Sequence, residues 1–445
     1  MDFNAFKEAV ILKCAELGIT EYELYYQNAQ STSIGAFQHE INQFTCSTEG
    51  GVCFRCIYGG KMGYASTEEL SAAQAAAVVE KAVDNASCLE AEEQVFLCEG
   101  GQEYQPLEDR SYVLPGTEEI ISTVLATQEK LYQADPAVID GSQTQGVAER
   151  SEIAIYNSKG LDLHSVTTLS GLIAVAVVTN GQEMANDYQI KLEKLSTIDT
   201  DALTKKAAAT AKQKLGGDVA PTGQYPVVFD PEAMSDLLQT FSGIFSSEAA
   251  QKGLSKLSDK EGQVIASDVV TLVDDPFHKS NPGARNFDAE GSPTYCKNVI
   301  ENGVLNTLLY NLKTAAVAGK KTTGNASKAG YAAAVSISPY TMYIAPGSIS
   351  EDELVAQAGE GVYINSLGGL HAGADPISGD FSLQSSGFMI RDGKKAEYVK
   401  SFTVAGNFYE MLKNIKVVAS NLEMPGMAGF GSPSVLVDGL SVAGK

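Results

Sequence analysis

Residues 274–294 read DDPFHKSNPGARNFDAEGSPT, which crowds Asp274, Asp275, His278, Arg285, Asp288 and Glu290 into one short stretch. Two chemistries suit such a set. Carboxylates with an imidazole can bind a divalent metal, and a guanidinium can hold a peptide carboxylate through two parallel hydrogen bonds. A solvated loop whose charges pair only with one another has the same sequence, because exposed ion pairs are common and individually weak. A second polar stretch, residues 371–394, reads HAGADPISGDFSLQSSGFMIRDGK. Its Gly379, Asp380 and Ser382 enter an alternating strand with Phe381, Leu383 and Phe388 expected to face inward. An extended peptide can add to the edge of such a strand, or the strand can complete a barrel.

The remaining reactive residues are dispersed. His39, His164, His278 and His371 share no local motif, so there is no HExxH helix, and no GxSxG elbow marks a nucleophilic serine. KKTTGNASKAG lacks the GxxxxGK[ST] of a phosphate loop. Seven cysteines at irregular spacing do not make a disulfide framework. Cys53 and Cys56 have CxxC spacing in a strand-like segment, where residues three apart face opposite sides. Residues 237–249, LLQTFSGIFSSEA, follow the strand-like YPVVF and the turn-prone Asp230-Pro231, and read as helix with apolar Leu237, Leu238, Phe241, Ile244 and Phe245. Their polar members, Gln239, Thr240 and Ser242, include no usual general base or zinc ligand.

These segments need a large frame, and 445 residues at 44% apolar content supply one. Helices are expected at 4–17, at 67–86 from Thr67-Glu68-Glu69, at 117–133 and at 200–215, with strand-like segments between them. The expected fold class is α+β: two helix–strands–helix lobes at 1–105 and 106–220, then a largely β domain with long loops at 221–445. Gly59-Gly60, Asn302-Gly303 and Asp392-Gly393 mark hairpin turns. The longest apolar run, 172–178, falls far short of the roughly 20 residues that cross a bilayer. The N-terminus reads as an amphipathic helix rather than a secretion signal, so a cytoplasmic location is expected and no membrane contact. A formal charge of −23 repels phosphate backbones and argues against nucleic-acid binding.

Several C-terminal segments resemble the TldD/PmbA family of peptidase-complex proteins, whose PmbA branch is also called TldE. They are VVFDPEA, KEGQVIASDVVTLVDDP, FDAEGSPT, VIENGVLNTLLYNLKTA, TTGNA, GDFSLQSSGFMI, VAGNFYEMLKNI and the ending SPSVLVDGLSVAGK. GGVCFRCIYGGKMGYAST is similar to the family's N-terminal hairpin, which extends the resemblance over the whole chain. In the TldD branch the helix after YPVVF resembles LLHEAxGH, whose histidines bind zinc and whose glutamate is the general base. Here Gln239 and Ile244 stand at the histidine positions and Thr240 at the glutamate position. The catalytic branch also has a cysteine ligand in a loop near its C-terminus; NLEMPGMAGFGSPS has none, and Cys296 is the last cysteine.

The resemblance therefore implies the PmbA/TldE branch, a family also labelled modulator of DNA gyrase. It implies a non-catalytic, substrate-holding subunit with no metal of its own, zinc being expected on a TldD-type partner, and extended peptides as substrates. Asp274, Asp275, Arg285, Asp288, Glu290, Gly379, Asp380 and Ser382 are the residues expected to line the peptide chamber. Two alternatives remain at this point. One is a stand-alone metallopeptidase whose metal site gathers His278, His371 and nearby carboxylates. The other is a peptide-binding homodimer without catalysis.

Overall fold

A computed structural model describes residues 1–90, 95–108, 110–426 and 429–445. The N-terminal half runs α1 (Phe3–Glu16), β1 (Tyr22–Phe37), β2 (Glu40–Tyr58), β3 (Lys61–Thr67) and α2 (Ala72–Cys88). It continues with α3 (Thr117–Ala134), β4 (Gln143–Asn157), β5 (Asp162–Thr179), β6 (Met184–Leu192) and α4 (Thr200–Gln213). The strands of both segments join one six-stranded antiparallel sheet, ordered β3-β2-β1-β4-β5-β6. β1 pairs with β2 on one edge and with β4 on the other.

Strand alternation separates the two faces of this sheet. Leu24, Phe54 and Cys56 pack under α1 and α2, and Ile34, Ala148 and Leu172 pack under α3 and α4. Tyr25, Cys53, Ile153 and Ile155 face the other way, against Phe287, Ala289 and Ala326 of the C-terminal half. Cys53 and Cys56 thus lie in different cores, as their spacing implies.

Two local features differ from the sequence reading, in which residues 31–46, STSIGAFQHEINQFTC, form one strand-like stretch and the second helix starts at Thr67. The hairpin between β1 and β2 turns at Gln38-His39, both with positive φ. The His39 amide donates to Gln128 Oε1 at 2.8 Å and its ring packs on Tyr132, so tertiary contacts hold a turn that neither residue signals. The second helix begins at Ala72, capped by Ser71, rather than at Thr67, because Thr67 still pairs with Val52 in the sheet.

The C-terminal half contains β7 (Asp218–Val219), β8 (Gly223–Phe229), α5 (Pro231–Phe241), α6 (Ser247–Gln251), β9 (Leu272–Asp274), β10 (Lys297–Glu301), β11 (Val304–Leu305) and α7 (Leu312–Val317). After these come β12 (Ala326–Ser327), β13 (Ser336–Ile337), β14 (Met342–Ile344), α8 (Glu351–Ala358), β15 (Gly361–Gly368) and α9 (Leu370–Gly373). The chain ends with β16 (Asp380–Arg391), β17 (Lys394–Asn407), α10 (Phe408–Lys413), β18 (Ile415–Val418), β19 (Phe430–Gly431) and β20 (Val435–Ala443). β20 pairs with both β8 and β17, which closes β8, β15, β16, β17 and β20 into a ring. The fold is α+β with a largely β C-terminal half. Asn302-Gly303 and Asp392-Gly393 have positive φ at the turns β10–β11 and β16–β17, as hairpin turns of this type require. Among the described residues no helix is long and apolar enough to cross a membrane.

Candidate functional site

Asp230 starts α5 by accepting the Ala233 amide at 2.8 Å, with Pro231 in the first turn, where its missing N–H costs nothing. Leu237, Leu238 and Phe241 enter the barrel core, and Phe241 stacks on Phe408 with 4.5 Å between ring centroids. The expected single helix over 237–249 is broken: α5 stops at Phe241, a 3-10 turn covers Ser242–Phe245, and Ser246 caps α6. Ser242 Oγ donates to the Gln239 carbonyl at 2.8 Å, and Gly243 is a poor helix former, so the last turn tightens.

This geometry places the three positions under question. Gln239 is exposed, the Thr240 hydroxyl donates to the Asp236 carbonyl at 2.7 Å, and Ile244 is buried in the core. An amide facing solvent, a hydroxyl bonded to its own helix and an alkyl chain do not fit a zinc ion. Among the described residues, no three His, Cys, Asp or Glu side chains come close enough to hold a metal, so His278 and His371 belong to no such group. Within the loop 421–434, Met427 and Ala428 lie outside the described residues.

Burial pushes the Asp230 carboxyl up to about 8, from an ordinary 3.8. The same cause raises Glu232 to about 7 and Asp236 to about 6. Because the folded value of Asp230 lies above the unfolded one, the native chain binds more protons between about pH 4 and 8. Stability therefore falls as pH rises through that window, by up to about 1.4 kcal/mol per unit for one group. Asp230→Asn keeps a capping side chain and removes the charge. The margin by which its thermal midpoint exceeds that of the parent is expected to be larger at pH 8.5 than at pH 5. A lower midpoint at pH 8.5 would show that the carboxylate is stabilised where it sits.

The entrance of β16 alternates as expected, with Phe381 and Leu383 buried and Asp380 and Ser382 exposed, whereas Phe388, past a register shift, is only half-buried beside Tyr363 and Tyr398. Gly379 has φ near +80°, and a Cβ there would lie 2.4 Å from the Tyr409 ring, so only glycine fits. The Asn407 side chain donates to Asp380 Oδ1 at 2.7 Å and holds the carboxyl below its usual range. Asp380 thus presents a fixed negative charge to solvent.

In the stretch 274–294 most of the charges turn inward. Asp274 is fully buried: Oδ2 meets Lys297 Nζ at 3.1 Å and the Asn325 amide at 2.8 Å, and Oδ1 accepts the Tyr340 amide at 2.7 Å. Asp288 Oδ1 accepts the amides of Glu290 and Ser292, and Oδ2 that of Ala326. Glu290 Oε2 accepts the first amide of α7, at Leu312, and Oε1 lies 3.7 Å from Arg55 Nη1. Asp275 caps its own loop through the Phe277 amide. His278 packs beside Tyr343, and Arg110 donates to its carbonyl. Arg285 remains with Nη1 buried and unpartnered.

Sequence reading missed the other half of this buried network. Glu23 and Arg55 are direct cross-strand partners on the sheet face toward the C-terminal half, with Arg55 Nε and Nη2 at 2.8 and 2.7 Å from Glu23 Oε1. The Asn157 amide adds a contact of 3.3 Å to Glu23 Oε2. The available signal was a lone charge inside an apolar run, Glu23 in YELYY and Arg55 in VCFRCIY.

Three family descriptions match the chain: PmbA/TldA metallopeptidase domain 1 over residues 22–86, the central domain over 114–215, and the C-terminal domain over 222–444. A metalloprotease of Methanothermobacter thermautotrophicus is 29% identical over 425 residues, covering 92% of this chain and 90% of that protein. A crystal structure from Thermotoga maritima, described as a modulator of a DNA gyrase, matches with TM-score 0.90 and 29% identity over 99% of this chain and 100% of that one. The crystal structure of TldE from Thermococcus kodakarensis shares the fold, with TM-score 0.88 and 21% identity over 99% of this chain and 100% of that one.

Proposed function

The chain belongs to the PmbA/TldD metallopeptidase family, and we propose that it is a non-catalytic, peptide-holding subunit working beside a zinc-bearing TldD-type chain. The observation that carries this reading is the state of the three helix positions. Gln239 faces solvent, Thr240 is bonded to its own helix, and Ile244 fills the core. Where the catalytic branch has ligands and base by resemblance, this chain offers neither a coordinating nitrogen nor a group that can take a proton from water at neutral pH. Restoring a ligand at Ile244 would put an imidazole into a packed core.

In this reading the exposed side chains of β16 and the surface around Arg285 meet the peptide, while Asp274, Asp288 and Glu290 keep the supporting loop rigid. Glycine at 379 lets the strand entrance approach Tyr409 closely, and Asp380 stays ionised beside Asn407. The expected test is peptide cleavage by a mixture of this chain and a TldD-type chain from the same cell. Asp380→Ala and Arg285→Ala together should slow cleavage about thirtyfold, since each removes contacts worth roughly 1 kcal/mol. Unchanged cleavage would remove both residues from the chamber. Cleavage by this chain alone would overturn the non-catalytic reading.

A further inference from the structure

Beside Arg285 lies a polar cavity of about 190 Å³ whose walls include Asn281, Ser327, Ser338 and Tyr340. Two of its polar atoms are buried without hydrogen-bond partners, Arg285 Nη1 and the Tyr340 hydroxyl. Leaving a buried donor unpaired costs about 1–3 kcal/mol, and more when the group is charged. Two such donors on one cavity therefore call for an acceptor.

The acidic neighbours do not supply it. The Asp274 oxygens are taken by Lys297, Asn325 and the Tyr340 amide, and the Asp288 oxygens by three backbone amides. Burial and the nearby Glu290 also push Asp288 up, which weakens its hold on a cation. None of the cavity walls carries a carboxylate. Tyr25, from the N-terminal sheet, places a further hydroxyl beside Arg285.

We infer that this cavity is a subsite for a peptide carboxylate, held by Arg285 and Tyr340. A guanidinium matches a planar carboxylate in two parallel hydrogen bonds, and a phenol can donate a third. The volume equals roughly six waters at about 30 Å³ each, enough for a carboxylate and the atoms next to it. A molecule of formal charge −23 also favours a singly charged anion over a phosphate. The inference rests on the peptide-holding reading and names the part of the peptide that Arg285 recognises.

The test is calorimetric binding to the full chain, without a catalytic partner. The probes are trialanine, trialanine amide, acetyl-Ala-Asp-Ala amide and inorganic phosphate. Saturable binding of trialanine, weakened about tenfold or more in its amide, supports a terminal carboxylate. Comparable binding of the aspartyl amide supports the same subsite filled by an acidic side chain. Arg285→Gln should weaken either ligand about tenfold, and Tyr340→Phe severalfold, with an unchanged thermal midpoint confirming that the Phe variant is folded. Absent binding, binding indifferent to both substitutions, or phosphate binding as tightly as carboxylate would overturn the inference. Dependence of cleavage on an added TldD-type chain is measured separately, so the subsite can fail while the non-catalytic reading stands.

Discussion

Arg55→Met is expected to destabilise the chain by about 3–5 kcal/mol, the range found when one member of a buried ion pair is removed. The substitution preserves much of the side-chain volume, so the loss is electrostatic. Glu23 and Arg55 are both almost fully buried, and Glu290 approaches the same guanidinium. Without Arg55, two carboxylates share a site that water does not reach. Burial already raises the Glu23 carboxyl, with Arg55 and Asn157 opposing the rise. Because Glu23 lies on β1 and Glu290 in the C-terminal half, the damage should fall on the seam between the halves. Denaturant titration reads it as a lower midpoint, and Glu23→Gln with Arg55→Met should recover part of the loss. A shift under about 1 kcal/mol would mean that the pair is screened by water.

That pair also shows where sequence reading stops. Local signals transferred well: Asn302-Gly303 and Asp392-Gly393 turn as their φ preferences require, Phe381 and Leu383 point inward, and Cys53 and Cys56 part to opposite faces. Each depends on one residue type or on a period of two. Features fixed by distant partners were not visible. The Gln38-His39 turn depends on Gln128 and Tyr132, and the closing of the barrel on pairing between β17 and β20. Composition singled out the stretch 274–294 but not which of its charges face inward. Asp274 needs Lys297 and Asn325, and Glu290 needs Arg55 and the start of α7. Arg285 stood out in sequence only as one charge among six. What sets it apart is the lack of a partner for Nη1, which exists only in three dimensions.

We propose that this family member carries no zinc chemistry of its own. This follows from the helix itself: an exposed Gln239, a backbone-bonded Thr240 and a core Ile244 give a metal nothing to bind. Scattered histidines offer no substitute among the described residues. The most direct measurement is zinc content by elemental mass spectrometry on the purified chain, after dialysis against a weak chelator. A negligible amount of zinc per chain is expected, with peptide cleavage only when a TldD-type chain is added. Close to one tightly held zinc per chain, with cleavage by this chain alone that a strong chelator abolishes, would contradict it.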